Sequence, residues 1–411
     1  MLAWSAQAVG VALPAGGLAA CSSGGLRTGT AASAGQIPIA SPERPVRLPV
    51  HAGNQPIPGG RRPEPGPLRI FTWGLYISPD VLDTFSRTHG VEVKTDTFAS
   101  MDEALATLTA QSSPGRAVPA YDVVTPQTDV LRALVQADAL QPLNPDYLTN
   151  VSHVWSELRD PFYDTGSQYT VPYVLWTDGI AWRNDIVTAR IAAMPDPYDA
   201  LWTHAVPGRT AVLDTARDAL VLPLLRRGSR AVNTADADDV DEARADLAQL
   251  VSRDRLRFDE GTANYLPTGE VVIRESWSGT VLYAPAELPR GTSADVLSFC
   301  WPPHVDASLP GVIANDTLAV PRRASHPVLA HMFIDHLLDP RTAAANFAFT
   351  RYQPPNSGVD PRSLAGDGSI PASLASAVMT PDDLHVGLRL CELTAPARRL
   401  WDAAYQQLQA G

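Results

Sequence analysis

The sequence predicts an α/β protein with two units, each a mostly parallel sheet flanked by helices. The chain has 411 residues, which is more than one compact hydrophobic core usually serves. After about residue 67, short apolar runs alternate with stretches of helical period, a pattern typical of parallel sheets covered by helices. The alternation begins again after about residue 210, which indicates a second unit.

The first unit has three strands, each followed by a helix. Ser78 and Pro79 begin the first helix as its N-cap and its first helical residue. Ser100 with Glu103 forms a capping box at the start of the second helix. Runs rich in β-branched and aromatic residues predict strands at 68–72, 91–93 and 121–124.

The second unit repeats this order. Asp214 is suited to cap a helix that runs to about Arg227, and a further amphipathic helix spans 240–251. A later apolar helix stops at Asp339-Pro340, because proline cannot continue a helix. Apolar runs predict strands at 210–213, 296–299 and 317–320.

The N-terminus has the features of an export signal. Residues 2–20 are mostly small or apolar, and the run ends in Leu-Ala-Ala-Cys at 18–21, which resembles a bacterial lipobox. We expect residues 1–21 to be a lipoprotein signal peptide and Cys21 to carry lipid, which would hold the protein at the outer face of the cell membrane or in the periplasm. The first basic residue is Arg27, so the translation start stays open, as does an ordinary signal peptide.

Residues 22–67 are rich in serine, glycine, proline and alanine and show no helix or strand period. This composition predicts a disordered tether between the lipid anchor and the globular part.

Composition and motifs argue against several function classes. A net charge of -12 disfavours nucleic acid, because phosphate binding needs clustered lysine and arginine. Residues 275–279 lack the first glycine of a serine-hydrolase nucleophile elbow, and no HExxH zinc motif occurs. We therefore expect a protein that is not an enzyme and has no catalytic residues, cofactor or metal. Cys300 and Cys391 either pair after export or remain as two buried thiols.

Five short segments occur in an order that points to one family. They are FTWGLY at 71–76, YDVVTP at 121–126, LDTARD at 213–218, GEV through WSG at 269–279, and LLDP through YQPPN at 337–356. In this order they resemble the spermidine/putrescine-binding proteins of bacterial ABC importers, over about residues 68–411.

The resemblance implies a two-lobed periplasmic-binding-protein fold, a Venus flytrap that closes on a ligand between its lobes. The first lobe is expected at 68–178 plus 316–360, and the second at 179–315 plus 361–411. Such a protein works as a monomer that delivers a polyamine to the permease and ATPase subunits of its importer.

The resemblance also implies which residues contact the ligand. Buried ammonium groups need carboxylates, and aromatic faces attract cations while covering the methylene chain. Two positions depart from the family pattern: Thr215 replaces an aspartate, and Ala314 replaces a tryptophan. Asp129 would restore the lost carboxylate. The expected ligand-binding residues are Trp73, Tyr76, Gln127, Asp129, Thr215, Asp218, Trp277, Asp316 and Tyr352.

Other functions stay open. The same fold could bind another solute, such as a different amine, an opine-like compound or ferric ion, although Tyr352-Gln353 is not the tyrosine pair that ferric binding usually wants. A sensory lipoprotein would use the same clamp, and a secreted hydrolase would need a nucleophile motif that the sequence lacks.

Overall fold

The computed structural model describes residues 37–113, 120–259, 261, 265–366 and 370–410. The predicted signal peptide with Cys21, and residues 22–36 of the predicted tether, lie outside these residues. No helix among the described residues has both the length and the apolar character needed to cross a bilayer.

Ten strands and twelve α-helices occur in the described part of the chain, joined by short 3₁₀ turns. The strands are β1 Leu68–Thr72, β2 Val93–Thr97, β3 Val123–Val124, β4 Leu140–Gln141, β5 Thr170–Arg183, β6 Thr210–Leu213, β7 Arg257–Asp259, β8 Ile273–Trp277, β9 Leu297–Cys300 and β10 Ile313–Pro321. The helices are α1 Pro79–His89, α2 Met101–Ser112, α3 Leu131–Gln136, α4 Ala216–Arg226, α5 Ala237–Gln249, α6 Tyr265–Thr268, α7 Ser278–Tyr283, α8 Pro327–Leu338, α9 Pro340–Thr350, α10 Pro361–Gly366, α11 Asp383–Val386 and α12 Ala395–Ala410.

Local signals place several helix ends where the sequence predicts them. Helix α1 begins at Pro79 and ends before Gly90, whose φ of 65° suits glycine. In α2 the Ser100 hydroxyl accepts a hydrogen bond from the backbone of Glu103 at 3.2 Å, as the predicted capping box requires. The predicted cap of α4 is wrong by one residue. Thr215, not Asp214, is the N-cap, and its hydroxyl accepts from a backbone N–H of the first turn.

Eight strands form one path in the order β2-β1-β3-β10-β5-β8-β6-β7, and beside it β4 pairs with β10 and β9 pairs with β5. Strands β1, β2 and β3 are parallel to one another, as are β6, β7 and β8, whereas the long strands β5 and β10 run antiparallel to their neighbours. Strand β5 pairs with β10 up to Thr177 and with β8 from Asp178 onward. This change of partner falls where the first crossing between lobes is predicted, and the four predicted lobe segments remain a proposal.

Helices cover both faces of this path. Buried side chains of α2 and α3 pack on one face of the first lobe, and those of α4, α5 and α12 pack on one face of the second. A third cluster joins α1 and α8 to α7 and continues through both lobes. Buried apolar side chains therefore pack against both faces of the sheet. This packing holds in place the strand ends that carry the site described below.

The predicted tether is wrong for residues 37–67, because this segment packs on the first lobe. Ile37, Val46 and Leu48 are buried against α3 and its neighbours. Val46 also exchanges backbone hydrogen bonds with the 162–165 turn, at 2.8 and 2.9 Å. Widely spaced apolar residues in a proline-rich segment give no helical or strand period, yet they can bury their side chains in an irregular path.

Both remaining cysteines are free and buried. Burial raises the pKa of Cys300 to about 12 and that of Cys391 to about 11, so both stay as thiols at neutral pH. Of the two alternatives that the sequence leaves open, the structure has the unpaired thiols.

Candidate functional site

A cleft of about 740 Å³ opens at the junction of the two groups of strands. This volume is typical of sites for small organic ligands. Seven of the nine predicted ligand-binding residues line it: Trp73, Gln127, Asp129, Thr215, Asp218, Trp277 and Asp316. The remaining lining residues are Ala99, Ser100, Met101, Thr128, Trp176, Asp214, Arg217, Ala314, Asn315 and Leu390.

The fold brings these residues together because most of them stand at the carboxyl ends of parallel strands. Trp73 directly follows β1, and Gln127 lies just after β3. On the other side Thr215 lies just after β6, and Trp277 ends β8. Ligands of α/β proteins commonly bind at such ends, where loops and helix N-termini leave a crevice. Asp316 is the exception, since it lies within β10.

Asp316 is the most deeply buried carboxylate of the cleft, with 2% of its surface exposed. The register of β10 against β5 shifts between Asp316 and Thr317, and such irregularities re-aim side chains. The Tyr76 hydroxyl donates a hydrogen bond to Asp316 Oδ2, while Oδ1 has no hydrogen-bond partner within the described part of the chain. Burial raises the pKa of Asp316 to about 7, although Tyr76 and the indole of Trp176 favour its charged form.

Asp218 approaches the cleft from the opposite side, in the first turn of α4. The Thr215 hydroxyl donates to Asp218 Oδ2 at 2.7 Å, and the backbone N–H of Asp218 donates to Thr215 Oγ1 at 3.0 Å. Burial raises the pKa of Asp218, while this hydrogen bond and the neighbouring Arg217 favour the carboxylate. Thr215 therefore caps α4 and orients Asp218 rather than supplying a charge of its own.

Asp129 provides a third carboxylate, from the short turn that precedes α3. Its Oδ1 is buried and lacks a hydrogen-bond partner among the described residues. Burial raises the pKa of Asp129, with Arg217 and Arg398 acting in the opposite direction. A fourth lining aspartate, Asp214, is already bound by the Tyr405 hydroxyl and by Gln409.

Three tryptophans form the apolar walls. Trp176 and Trp277 meet edge to face with ring centroids 6.0 Å apart, and Trp73 packs in the same way on Phe98 at 4.6 Å. Trp176 was not predicted as a site residue, because it lies in the uniformly buried strand β5. It stands directly opposite Ala314 in the pairing of β5 with β10. Strand β5 thus supplies the indole of Trp176 beside Ala314, the position where the family pattern has a tryptophan.

Tyr76 and Tyr352, both predicted as ligand contacts, are absent from the described lining of the cleft. Tyr76 lies behind Asp316 as its hydrogen-bond donor, and burial raises its pKa well above the usual value, so the donor proton is kept. Tyr352 packs edge to face on Tyr76 at 5.4 Å, and its hydroxyl lies 3.2 Å from that of Thr280. The two tyrosines support the carboxylate from the side away from the cleft.

Arg217 also lines the cleft without being among the predicted contacts, although it stands inside the LDTARD segment. Its position in this segment, next to the predicted contact Asp218, was the signal in the sequence that could have identified it.

No group of three or more histidine, cysteine, aspartate or glutamate residues in the described part of the chain is arranged to hold a metal ion.

Comparisons with known proteins place this geometry in context. Residues 80–371 match the family model for bacterial extracellular solute-binding proteins. The chain is 26% identical over 289 residues to the spermidine/putrescine-binding periplasmic protein of Escherichia coli, which covers 70% of this chain and 77% of that protein. It is 25% identical over 281 residues to the putrescine/cadaverine-binding protein of Pseudomonas aeruginosa, covering 67% of this chain and 76% of that protein.

The fold has solved counterparts. One of them is a putative spermidine/putrescine ABC transporter from Listeria monocytogenes. Its structure superposes on this chain with a TM-score of 0.68 at 20% sequence identity, covering 83% of this chain and 98% of that one. This likeness confirms the predicted two-lobed α/β fold.

The raised pKa of Asp316 makes a pH dependence testable. The charged form of Asp316 attracts a cation, and that form is lost as the pH falls through about 7. Alkylammonium groups titrate near 10, so a diamine such as putrescine keeps its charge over the same range. We expect the affinity for putrescine to fall by about tenfold between pH 8 and pH 6 when measured by calorimetry. An affinity that is equal at both values, or higher at pH 6, would show that Asp316 is not the titrating ligand contact.

Proposed function

The chain belongs to the family of bacterial extracellular solute-binding proteins, and from this premise we propose that it is the polyamine-binding component of an ABC importer. In this proposal the cleft binds a spermidine- or putrescine-like polyamine outside the cytoplasm, and the closed protein delivers it to the permease. The proposal includes the ligand, the delivery step and the lipid anchor on Cys21.

The relatives named above support a polyamine as the ligand, since their names describe them as binding spermidine, putrescine or cadaverine. Each of these amines is a flexible methylene chain with ammonium groups along it. Such a ligand requires carboxylates for the ammonium groups and apolar or aromatic surface for the chain.

The observation that carries the proposal is a pair of buried carboxylates in the cleft, neither of which forms an ion pair within the described part of the chain. Asp316 and Asp218 are both buried and enter from opposite sides, with 2% and 6% of their surfaces exposed. Burial disfavours the charge of each carboxylate. A bound ammonium group would remove this penalty, because it supplies both the opposite charge and hydrogen-bond donors. Ligand binding is therefore favoured by the same feature that makes the empty cleft costly.

The tryptophan walls fit the rest of such a ligand. Trp73, Trp176 and Trp277 offer flat surfaces on several sides of the cleft. Indole faces attract cations and also cover methylene groups. A ferric ion would make no use of these surfaces, and we do not propose one.

The carboxylates give the most direct test. Replacement of Asp218 or Asp316 by asparagine leaves a ligand ammonium group buried without its charge partner, at a cost of roughly 2–5 kcal/mol. We expect Asp218→Asn and Asp316→Asn each to weaken spermidine binding by roughly thirtyfold to a few thousandfold in calorimetry. Asp129→Asn is expected to weaken it as well, because Asp129 Oδ1 also lacks a partner in the described structure.

The matched control is Asp238→Asn, a change of the same kind at an exposed position on α5. It should bind spermidine like the wild type. If Asp218→Asn and Asp316→Asn also bind like the wild type, the polyamine assignment of this cleft is wrong.

The lipid anchor is tested by fractionation. Cys21→Ser removes the acceptor thiol of the lipobox, so the protein is expected to move from the membrane fraction to the soluble or secreted fraction. Cys391→Ser serves as the control because that thiol is buried and free. Equal membrane association of Cys21→Ser and wild type would contradict the anchor.

A further inference from the structure

The segment 388–392, which precedes α12, is in contact with both predicted lobes. Its contacts with the second lobe run through Asn233, which lies between α4 and α5. The backbone N–H of Cys391 donates to Asn233 Oδ1 at 2.8 Å, and Asn233 Nδ2 donates to the carbonyl oxygen of Arg389 at 2.9 Å. Helix α12 packs in the same apolar cluster as α4 and α5. These contacts hold the segment on the second lobe.

An ion pair joins the same segment to the first lobe. Arg132 of α3 donates to Glu392 twice, from Nε to Oε2 at 2.7 Å and from Nη2 to Oε1 at 2.5 Å. The two side chains are only 20% and 12% exposed, so water and salt screen this pair less than an ion pair on the open surface. Separation of the lobes at this point would break two parallel charge-assisted hydrogen bonds, which are among the strong contacts of a protein.

The ion pair lies directly beyond one end of the cleft. Thr128, which precedes α3, and Leu390, two residues before Glu392, both line the cleft. The same two residues line a second void together with Arg132 and Glu392. This void of about 20 Å³ has room for about one water molecule and for no polyamine. Thr128 and Leu390 therefore separate the cleft from the ion pair.

We propose that Arg132 and Glu392 form a clasp between the lobes, which shuts this end of the cleft and slows the departure of the ligand. They are positioning residues, because they act through Thr128 and Leu390 and are not among the described residues that line the cleft. The choice of a polyamine as the ligand rests on the function proposed above, whereas the clasp rests on the contacts of the ion pair. A contact that must break before the ligand leaves acts mainly on the dissociation rate.

The charge of Glu392 decides how the clasp is best removed. Burial raises the pKa of Asp129, and the charge of Glu392 adds to this effect, so Glu392 acts electrostatically on a cleft residue. Arg132→Gln alone would leave this negative charge unpaired, which would attract a cationic ligand while the clasp is lost. The double variant Arg132→Gln/Glu392→Gln removes the ion pair without a change of net charge, and it separates the two effects.

The kinetics of spermidine binding to the purified full-length protein test the clasp, by surface plasmon resonance or stopped-flow fluorescence. The double variant is expected to raise the dissociation rate constant by about three- to thirtyfold and to change the association rate constant by less than about twofold. The charge-swapped variant Arg132→Glu/Glu392→Arg restores an ion pair between the same two positions. It should return the dissociation rate constant toward that of the wild type, which a loss of packing alone would not do.

The matched control removes an ion pair that lies within one lobe. Arg227, at the end of α4, and Asp246 of α5 are paired at 2.9 Å, with side chains 34% and 16% exposed. Arg227→Gln/Asp246→Asn should leave both rate constants unchanged. Thermal unfolding shows whether each variant is folded. If Arg132→Gln/Glu392→Gln is not, Arg132→Lys carries the test, because it keeps the charge but loses the planar donor pair and should raise the dissociation rate constant by a smaller factor.

The outcomes separate the clasp from the function it serves. A dissociation rate constant that is the same in the double variant, the control and the wild type would overturn the clasp and leave the polyamine proposal standing. A raised rate constant that the charge swap does not lower would overturn it as well, since the ion pair would then not be the cause. If the wild type does not bind spermidine, the proposed function fails, and small-angle scattering of the unliganded proteins decides the clasp. A larger radius of gyration in the double variant than in the control would support it, and equal radii would overturn it.

Discussion

The constraint on which the site depends is a carboxylate that the fold keeps out of water without a full charge partner. Asp316 is almost fully buried, and the Tyr76 hydroxyl donates a hydrogen bond to its Oδ2. Tyr76 is in turn held by Tyr352. The two tyrosines therefore keep the carboxylate in place, and in the proposed function the cost of its burial favours a ligand that brings a positive charge.

The strand topology turns this local feature into a two-sided site. Strand β5 belongs to both groups of strands, because its partner changes between Thr177 and Asp178. Asp316 and Trp176 lie on the β10 side of this change, whereas Asp218 and Trp277 come from the side of β6 and β8. A ligand that bridges the two carboxylates would join both sides, so binding and closure would be one event.

The sequence predicts the fold and seven of the lining residues, because the signals for these are local. The LDTARD segment points to Thr215 and Asp218 without knowledge of the tertiary structure, although the cap of α4 is Thr215 and not the predicted Asp214. Trp176 could not be found in this way, since its role depends on the register that puts it opposite Ala314. The tether predicted over residues 37–67 is wrong because burial of an irregular segment leaves no periodic pattern in the sequence. The supporting position of Tyr352 follows only from the packing of its ring on Tyr76.

The central claim is that one cationic ligand holds the two lobes together. Small-angle scattering of the protein with and without saturating spermidine tests it most directly, with binding verified by calorimetry on the same sample. We expect a smaller radius of gyration in the bound state at unchanged molecular mass, because closure brings Asp218 and Asp316 onto the same ligand. Superimposable profiles for the free protein and the spermidine-bound protein would contradict it.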